Sequence, residues 1–193
     1  MSELADRFVA LLDANVLFPM RTRDILLQFS HDGLYRARWS REILAEWRRN
    51  LLALRPELEP SIDRQVELMD IGFPESVVEG FERLIPALDL PDPDDRHVLA
   101  AAIKCGAQHI VTENLRDFPE EVLAEFDIEP VTADEFLTRT FDLYTLESFT
   151  VLNGIRSRYA NPAYTPAEFV LDLTAKGLPK LAARYAANRL DSD

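Results

Sequence analysis

Cysteine, histidine and glycine are all scarce in this chain of 193 residues, which has one cysteine, three histidines and six glycines. The single cysteine, Cys105, excludes an intramolecular disulfide, as expected in a reducing compartment. A zinc site lacks its usual ligands. The scattered glycines form neither a GxGxxG motif nor a Walker-type phosphate loop.

Long apolar runs are also missing. No stretch approaches the roughly 20 apolar residues that a membrane-spanning helix needs. The opening residues, MSELADR, show neither the basic start nor the apolar stretch of a signal peptide. We therefore expect a cytoplasmic protein without a membrane partner.

The charge is unevenly distributed. The formal net charge of −13 argues against nonspecific binding to nucleic acid, which depends on neutralising phosphates with Lys and Arg. Residues 21–50 nevertheless hold seven arginines and four acidic residues, a local balance of +3. This stretch could receive a polyanion, or its arginines could simply be the solvated faces of helices.

Strands alternate with helices in the first part of the chain. The apolar run 8–12 predicts a strand buried on both faces, and residues 109–112 and 128–131 predict two more strands. The predicted helices cover residues 23–29, 40–54, 61–70, 75–84 and 93–106. This order indicates an α/β fold with a parallel sheet flanked by helices. From residue 132 onward only helices are predicted, so we expect a domain over residues 1–140 and a helical extension over 141–193.

Four acidic residues lie after predicted strands or at the apolar stripes of predicted helices. Asp13 ends the first strand, and Asp117 lies beyond the strand 109–112. Glu46 borders the apolar stripe of its helix, and Asp95 heads the inward stripe of the next helix. Ligands bind at the carboxyl ends of strands in open α/β sheets, and converging carboxylates are typical of a site for a hard divalent ion.

Each acid also has a simpler interpretation. Asp13 could cap the turn after its strand, and Glu46 could extend to water from the edge of its stripe. Asp92 and Asp94 are explained by the helix dipole, which favours acids in a first turn. Asn114 and Asp117 could shape the turn that contains them.

The motifs together resemble a PIN domain, and most closely the bacterial VapC-type toxins of type II toxin–antitoxin pairs. The resemblance rests on Leu12-Asp-Ala-Asn-Val-Leu17, Ser40 with Glu46 in its helix, Asp95-Arg-His-Val-Leu-Ala-Ala-Ala102, and Val111-Thr-Glu-Asn-Leu-Arg-Asp-Phe118. It covers residues 8–131 and leaves the helical extension unexplained.

The resemblance implies an endoribonuclease whose acidic pocket binds Mg²⁺ or Mn²⁺. It gives Asp13, Glu46, Asp95 and Asp117 as metal ligands and catalytic residues, with Asn15, Thr112 and Asn114 beside them to orient the ligands. Many relatives have another aspartate where this chain has Asn114, which leaves less charge for a second metal. The implied partners are RNA, a cognate antitoxin protein that offers a basic residue to the pocket, and a second copy in a homodimer, to which Trp39 could contribute.

Metal-assisted hydrolysis predicts products with 5′-phosphate and 3′-hydroxyl ends. The other common route to RNA cleavage uses histidine pairs, and we expect none of His31, His97 and His109 among the acids, since His97 should face away from Asp95 on its helix. Two alternatives stay open. One is a non-catalytic PIN-like binding module, and the other is a haloacid-dehalogenase-like phosphatase, in which Asn15 would stand where a second aspartate is needed.

Overall fold

The computed structural model describes residues 8–159 and 163–190. A parallel five-stranded sheet in the order β3-β2-β1-β4-β5 forms the centre of this described part. Its strands are β1 Val9–Leu12, β2 Arg36–Ser40, β3 Val77–Val78, β4 His109–Val111 and β5 Glu129–Val131. The predicted fold class, a parallel sheet flanked by helices with a helical C-terminal region, is confirmed.

Helices lie on both sides of the sheet and make up the C-terminal region. They are α1 Ala14–Leu17, α2 Met20–His31, α3 Arg41–Leu54, α4 Glu59–Gly72, α5 Arg96–Cys105, α6 Glu120–Leu123, α7 Ala133–Leu143, α8 Thr145–Arg158, α9 Pro166–Ala175 and α10 Pro179–Leu190. Short 3₁₀ turns cover Pro56–Leu58, Ile85–Ala87, Pro93–Asp95, Leu115–Asp117 and Ala124–Phe126. Helix α7 spans the boundary predicted at residue 140, and the division of the chain there stays a prediction.

The helix predicted over residues 75–84 is wrong. Val77 and Val78 instead form β3 and pair with Trp39 and Ser40 of β2. Two neighbouring β-branched residues favour this extended pairing, and Gly80 adopts a left-handed φ of 74° that ends any helix.

Strand β2 itself was not predicted, although its sequence alternates as a strand should. Ala37 and Trp39 are buried, while Arg36 and Arg38 are half-buried. Because Trp39 lies in the core, it is not available to a dimer interface as an exposed aromatic residue. Ser40 ends the strand and caps α3 by accepting a hydrogen bond from the Ile43 backbone N–H, as predicted.

A buried aspartate joins helix α7 to helix α10. Asp134, in the first turn of α7, accepts hydrogen bonds at 3.0 Å from the backbone N–H groups of Lys180 and Leu181 in the first turn of α10. These N–H groups have no partner within their own helix, so Asp134 caps α10 from another helix. Helix α9 begins with a capping box formed by Thr165 and Glu168.

A buried arginine joins α2 to the C-terminal helices. Arg21 Nε donates to Asp172 Oδ2 of α9 at 2.7 Å, and its guanidinium carbon lies 4.1 Å from the centre of the Tyr159 ring. Tyr164 and Phe169 are each 5.8 Å away. The charge of Arg21 is therefore balanced by one carboxylate and surrounded by aromatic rings.

Other arginines of the basic stretch 21–50 are also engaged within the chain. Arg41 pairs with Asp70, and Arg48 pairs with Glu59 and Asp63 of α4. Arg23 is buried, donates to the Leu17 carbonyl, and lies over the Trp47 ring. These arginines therefore make contacts that pack the helices together. Such contacts disfavour the interpretation of this stretch as a receptor for a polyanion.

Among the described residues, no helix is both long and apolar enough to cross a bilayer. The opening residues MSELADR, on which the expectation about a signal peptide rests, lie outside the described part.

Removal of Asp172 will test how much its contact with Arg21 contributes to the stability of the fold. Asp172→Ala leaves a buried guanidinium without its carboxylate, and we expect the free energy of unfolding in urea to fall by about 3 kcal/mol. Asp142→Ala is the matched control, because the Asp142–Arg184 pair is 49% exposed on both sides and should contribute less than about 1 kcal/mol. Equal, small losses for both variants would contradict the assigned role of Arg21.

Candidate metal centre

Asp13 is a buried carboxylate with a fixed orientation. It follows β1, is 4% exposed, and accepts at Oδ1 from the Ala14 backbone N–H at 2.6 Å. Its Oδ2 accepts from Asn15 Nδ2 at 2.6 Å and from Thr112 Oγ1 at 2.8 Å. Asp13 therefore caps α1, as the simpler interpretation of the sequence held. Asn15 and Thr112 also hold it in place.

Asp92, Asp95 and Asp117 form a second acidic group, and their carboxylate oxygens lie within 4.8 Å of one another. Asp95 ends the 3₁₀ turn before α5, and Asp117 ends the 3₁₀ turn after β4. Asn114 Nδ2 donates to Asp117 Oδ2, and Asp92 keeps its capping role by accepting from the Asp94 backbone N–H. Two of the four predicted ligands thus meet here, together with Asp92, which the sequence interpretation had assigned to capping alone.

Glu46 lies on α3 beside His97 of α5. The distance from His97 Nε2 to Glu46 Oε2 is 3.9 Å, and His97 Nδ1 lies 3.7 Å from Glu42 Oε2. Burial raises the pKa of Asp13, and His97 is among the groups that oppose that rise. The prediction that His97 points away from the acids is wrong, because α3 stands on the side of α5 that it faces.

The pKa values of the carboxyl groups report how closely they are gathered. Burial raises the pKa of Asp95, and the charges of Asp13, Asp92, Asp117 and Glu46 raise it further, to about 7. Burial also raises the pKa of Asp13, against the opposite effect of its hydrogen bonds from Thr112 and Ala14. Asp13 and Glu46 do not join the group of three within 4.8 Å among the described residues, but both act on Asp95 through their charge.

These residues fit a divalent cation. Among the described residues, no lysine or arginine forms an ion pair with any of the carboxylates around Asp95. Several half-buried carboxylates without a cation repel one another, and hard oxygen ligands of this kind suit Mg²⁺ or Mn²⁺. The sites around Asp95 and Asp13 therefore have the chemistry of a metal centre.

Comparison with known protein families agrees with this geometry. The profile of the PIN domain family matches residues 9–116, more than half of the chain. The chain belongs to the PIN domain family. Asp13, Glu46 and Asp95 lie inside the matched range, and Asp117 lies one residue beyond it. The PIN domain is followed by a match to the VapC50 C-terminal domain over residues 133–187, which covers α7, α8 and α9 and most of α10.

One curated relative of this PIN domain protein is VapC50 of Mycobacterium tuberculosis, strain H37Rv, which is named as a candidate ribonuclease. It is 35% identical over 113 residues, which are 58% of this chain and 66% of the relative. The chain thus covers slightly less than two thirds of that relative. No solved structure matches the chain.

Asp92 and His97 are the residues near the site that the sequence interpretation missed. A signal for Asp92 was available in its spacing, because residues i and i+3 of a helical turn lie on the same face, and Asp92 and Asp95 have that spacing. No comparable signal existed for His97, since its neighbour α3 is distant in sequence.

The raised pKa of Asp95 predicts how stability depends on pH. A carboxyl group whose pKa rises on folding, here from 3.8 to about 7, contributes stability below its unfolded pKa and loses it as the pH rises through its folded pKa. The contribution of Asp95 to the stability of the metal-free protein should therefore fall between about pH 4 and about pH 7. Millimolar Mg²⁺ should raise the Tm more at about pH 8 than at about pH 5.5, because bound metal competes with protons for the same oxygens.

Asp95→Asn should raise the Tm of the metal-free protein at about pH 8 and reduce the Tm shift caused by Mg²⁺, because it removes one of the repelling charges. Asp94→Asn changes the net charge equally at an exposed neighbouring position and is the matched control. Indistinguishable melting curves for the two variants would show that Asp95 is not coupled to the other acids.

Proposed function

We propose that this protein is a metal-dependent endoribonuclease, the toxin of a type II toxin–antitoxin pair. The observation that carries the proposal is the convergence of Asp92, Asp95 and Asp117 within 4.8 Å, beside the buried Asp13, in a chain of the PIN domain family. The similarity to a relative named as a candidate ribonuclease supports the choice of RNA as substrate.

In this proposal Asp13, Glu46, Asp95 and Asp117 are the catalytic carboxylates and hold Mg²⁺ or Mn²⁺, and Asp92 is placed to assist. A divalent ion bound there supplies Lewis acidity, which lowers the pKa of coordinated water and offsets charge on the phosphate oxygens. Thr112 and Asn15 each donate a hydrogen bond to Asp13 Oδ2 and so orient that carboxylate. Hydrolysis of the phosphodiester then leaves a 5′-phosphate and a 3′-hydroxyl.

The phosphatase alternative is disfavoured by the contacts of Asp13. Its Oδ2 accepts hydrogen bonds from both Asn15 and Thr112. Asn15 is an amide that donates to Asp13, and it cannot serve as an acid and base. The binding-module alternative requires a site that holds no metal. It is not favoured by a group of carboxylates that, among the described residues, pairs with no lysine or arginine.

Cleavage of RNA by Asp13→Asn and Asp95→Asn will test the proposal. Each substitution removes a charge needed to hold the ion, so we expect cleavage of a mixed single-stranded RNA in Mg²⁺ to fall by about a hundredfold or more, with Asp94→Asn close to wild type. End-group analysis should find 5′-phosphate and 3′-hydroxyl ends, and a chelator should stop the reaction. A cyclic phosphate product, or cleavage that persists in both variants, would refute the metal-dependent mechanism.

The partners follow from the same proposal. A small antitoxin protein would block the acidic pocket by offering it a basic residue, and the acidic surface of a chain with net charge −13 favours such a partner. The protein would act as a homodimer in the cytoplasm.

Expression in a bacterial host will test the role as a toxin. The wild-type chain should arrest growth, while Asp95→Asn, which retains the fold but loses a proposed ligand, should not. If a short reading frame adjoins the gene, its co-expression should restore growth and yield a complex in which RNA cleavage is suppressed. Normal growth with soluble, RNA-cleaving wild-type protein would refute the toxin assignment and leave the nuclease intact.

A further inference from the structure

Glu113 joins the acidic pocket to the C-terminal helices. It follows Thr112 at the end of β4 and is exposed to solvent. Its backbone N–H donates to Asn15 Oδ1 at 3.0 Å, and its side-chain Oε1 accepts from the backbone N–H of Ala133, the first residue of α7, at 3.1 Å. One residue therefore contacts both the amide that orients Asp13 and the start of the C-terminal helices.

The contact with Asn15 decides the direction of the hydrogen bonds around Asp13. Because the Glu113 N–H can only donate, Asn15 must turn its oxygen toward Glu113 and its Nδ2 toward Asp13 and Thr112, at 2.6 and 2.9 Å. Thr112 Oγ1 then accepts from Asn15 Nδ2 and from the Asn114 backbone N–H, so its own proton is left for Asp13 Oδ2. The donor and the acceptor of each hydrogen bond in this network are therefore determined.

The contact with Ala133 gives Glu113 a firm support. The first N–H groups of a helix lack partners within it and carry the positive end of the helix dipole, so a carboxylate is favoured there. Helix α7 is itself held in place through Asp134, which binds the start of α10. The side chain of Glu113 therefore ties the loop after β4 to an element that the C-terminal helices have already fixed.

We propose that Glu113 is a positioning residue that makes the metal centre depend on the C-terminal helices. Its side chain holds the loop against α7, and its N–H thereby stays where it orients Asn15 and, through Asn15, the carboxylate of Asp13. The inference rests on the proposed metal centre. It also gives the C-terminal helices a part in the site, although they supply none of its predicted ligands.

Substitution of Glu113 separates this role from simple capping of α7. In Glu113→Ala the Ala133 N–H loses its acceptor, and we expect the affinity of the metal-free protein for Mn²⁺, measured by calorimetry, to fall about tenfold, as for other residues that orient metal ligands. Backbone hydrogen exchange should accelerate at residues 113 and 114 as well as at Ala133. Glu113→Gln keeps the Oε1 acceptor and should restore both measurements to near the wild-type values.

Glu125→Ala is the matched control. Glu125 is an exposed glutamate in the 3₁₀ turn Ala124–Phe126, and its side chain makes no hydrogen bond or ion pair with the described residues. Its removal should change neither Mn²⁺ affinity nor exchange in the loop after β4.

Two outcomes would overturn the inference. If Glu113→Ala lowers the Tm but binds Mn²⁺ as wild type does, with faster exchange confined to Ala133, Glu113 only caps α7. If Glu113→Gln is as impaired as Glu113→Ala, the hydrogen bond to α7 is not what matters. Neither result depends on RNA cleavage. A failure of the proposed metal centre would appear separately, as absence of Mn²⁺ binding by the wild-type protein.

Discussion

Mutual repulsion among carboxylates is the constraint on which the rest of this structure depends. Carboxylate oxygens of Asp92, Asp95 and Asp117 lie within 4.8 Å of one another, and the charges of Asp13 and Glu46 also raise the pKa of Asp95. Such a group is stable only if protons or a cation reduce its charge, and only if rigid elements prevent the side chains from turning away. The parallel sheet supplies that rigidity, because the ends of β1 and β4 are adjacent and deliver Asp13 and Thr112 to one edge.

Hydrogen bonds distinguish Asp13 from the other acids. Asp13 is buried, which raises its pKa, and it accepts hydrogen bonds from Ala14, Asn15 and Thr112, of which those from Thr112 and Ala14 oppose that rise. Asp95 has neighbours that are mostly acidic, and burial together with their charges raises its pKa to about 7. Asp13 is therefore held in a fixed orientation by donors, while Asp95 depends more on whichever cation or proton is near.

The parts of the site that the sequence predicted are those carried by local patterns. An apolar run marks β1 and so places Asp13, and the inward stripe of α5 points to Asp95. Glu46 was correctly placed at the border of the apolar stripe of its helix. The position of His97 beside it was not predicted, because the angle of a residue on one helix does not show which other helix packs against it. Strand β3 was missed for the same reason: Val77 and Val78 are too short a signal without β2 beside them. Asp92 was misjudged because the helix dipole already explains an acid in its position, while Asp117, which makes it part of a cluster, is distant in sequence.

Buried charged residues hold the C-terminal helices in place at two points, one against α2 and one between α7 and α10. Among the described residues, the carboxylate and the aromatic rings that contact Arg21 of α2 belong to residues beyond α7. The donors to Asp134 belong to α10. If the helices after α7 were cut away, Arg21 would lose the carboxylate of Asp172, Asp134 would lose its two N–H donors, and the apolar side chains that these helices cover would be exposed to water. Their removal would therefore leave an exposed apolar patch of the kind that favours aggregation.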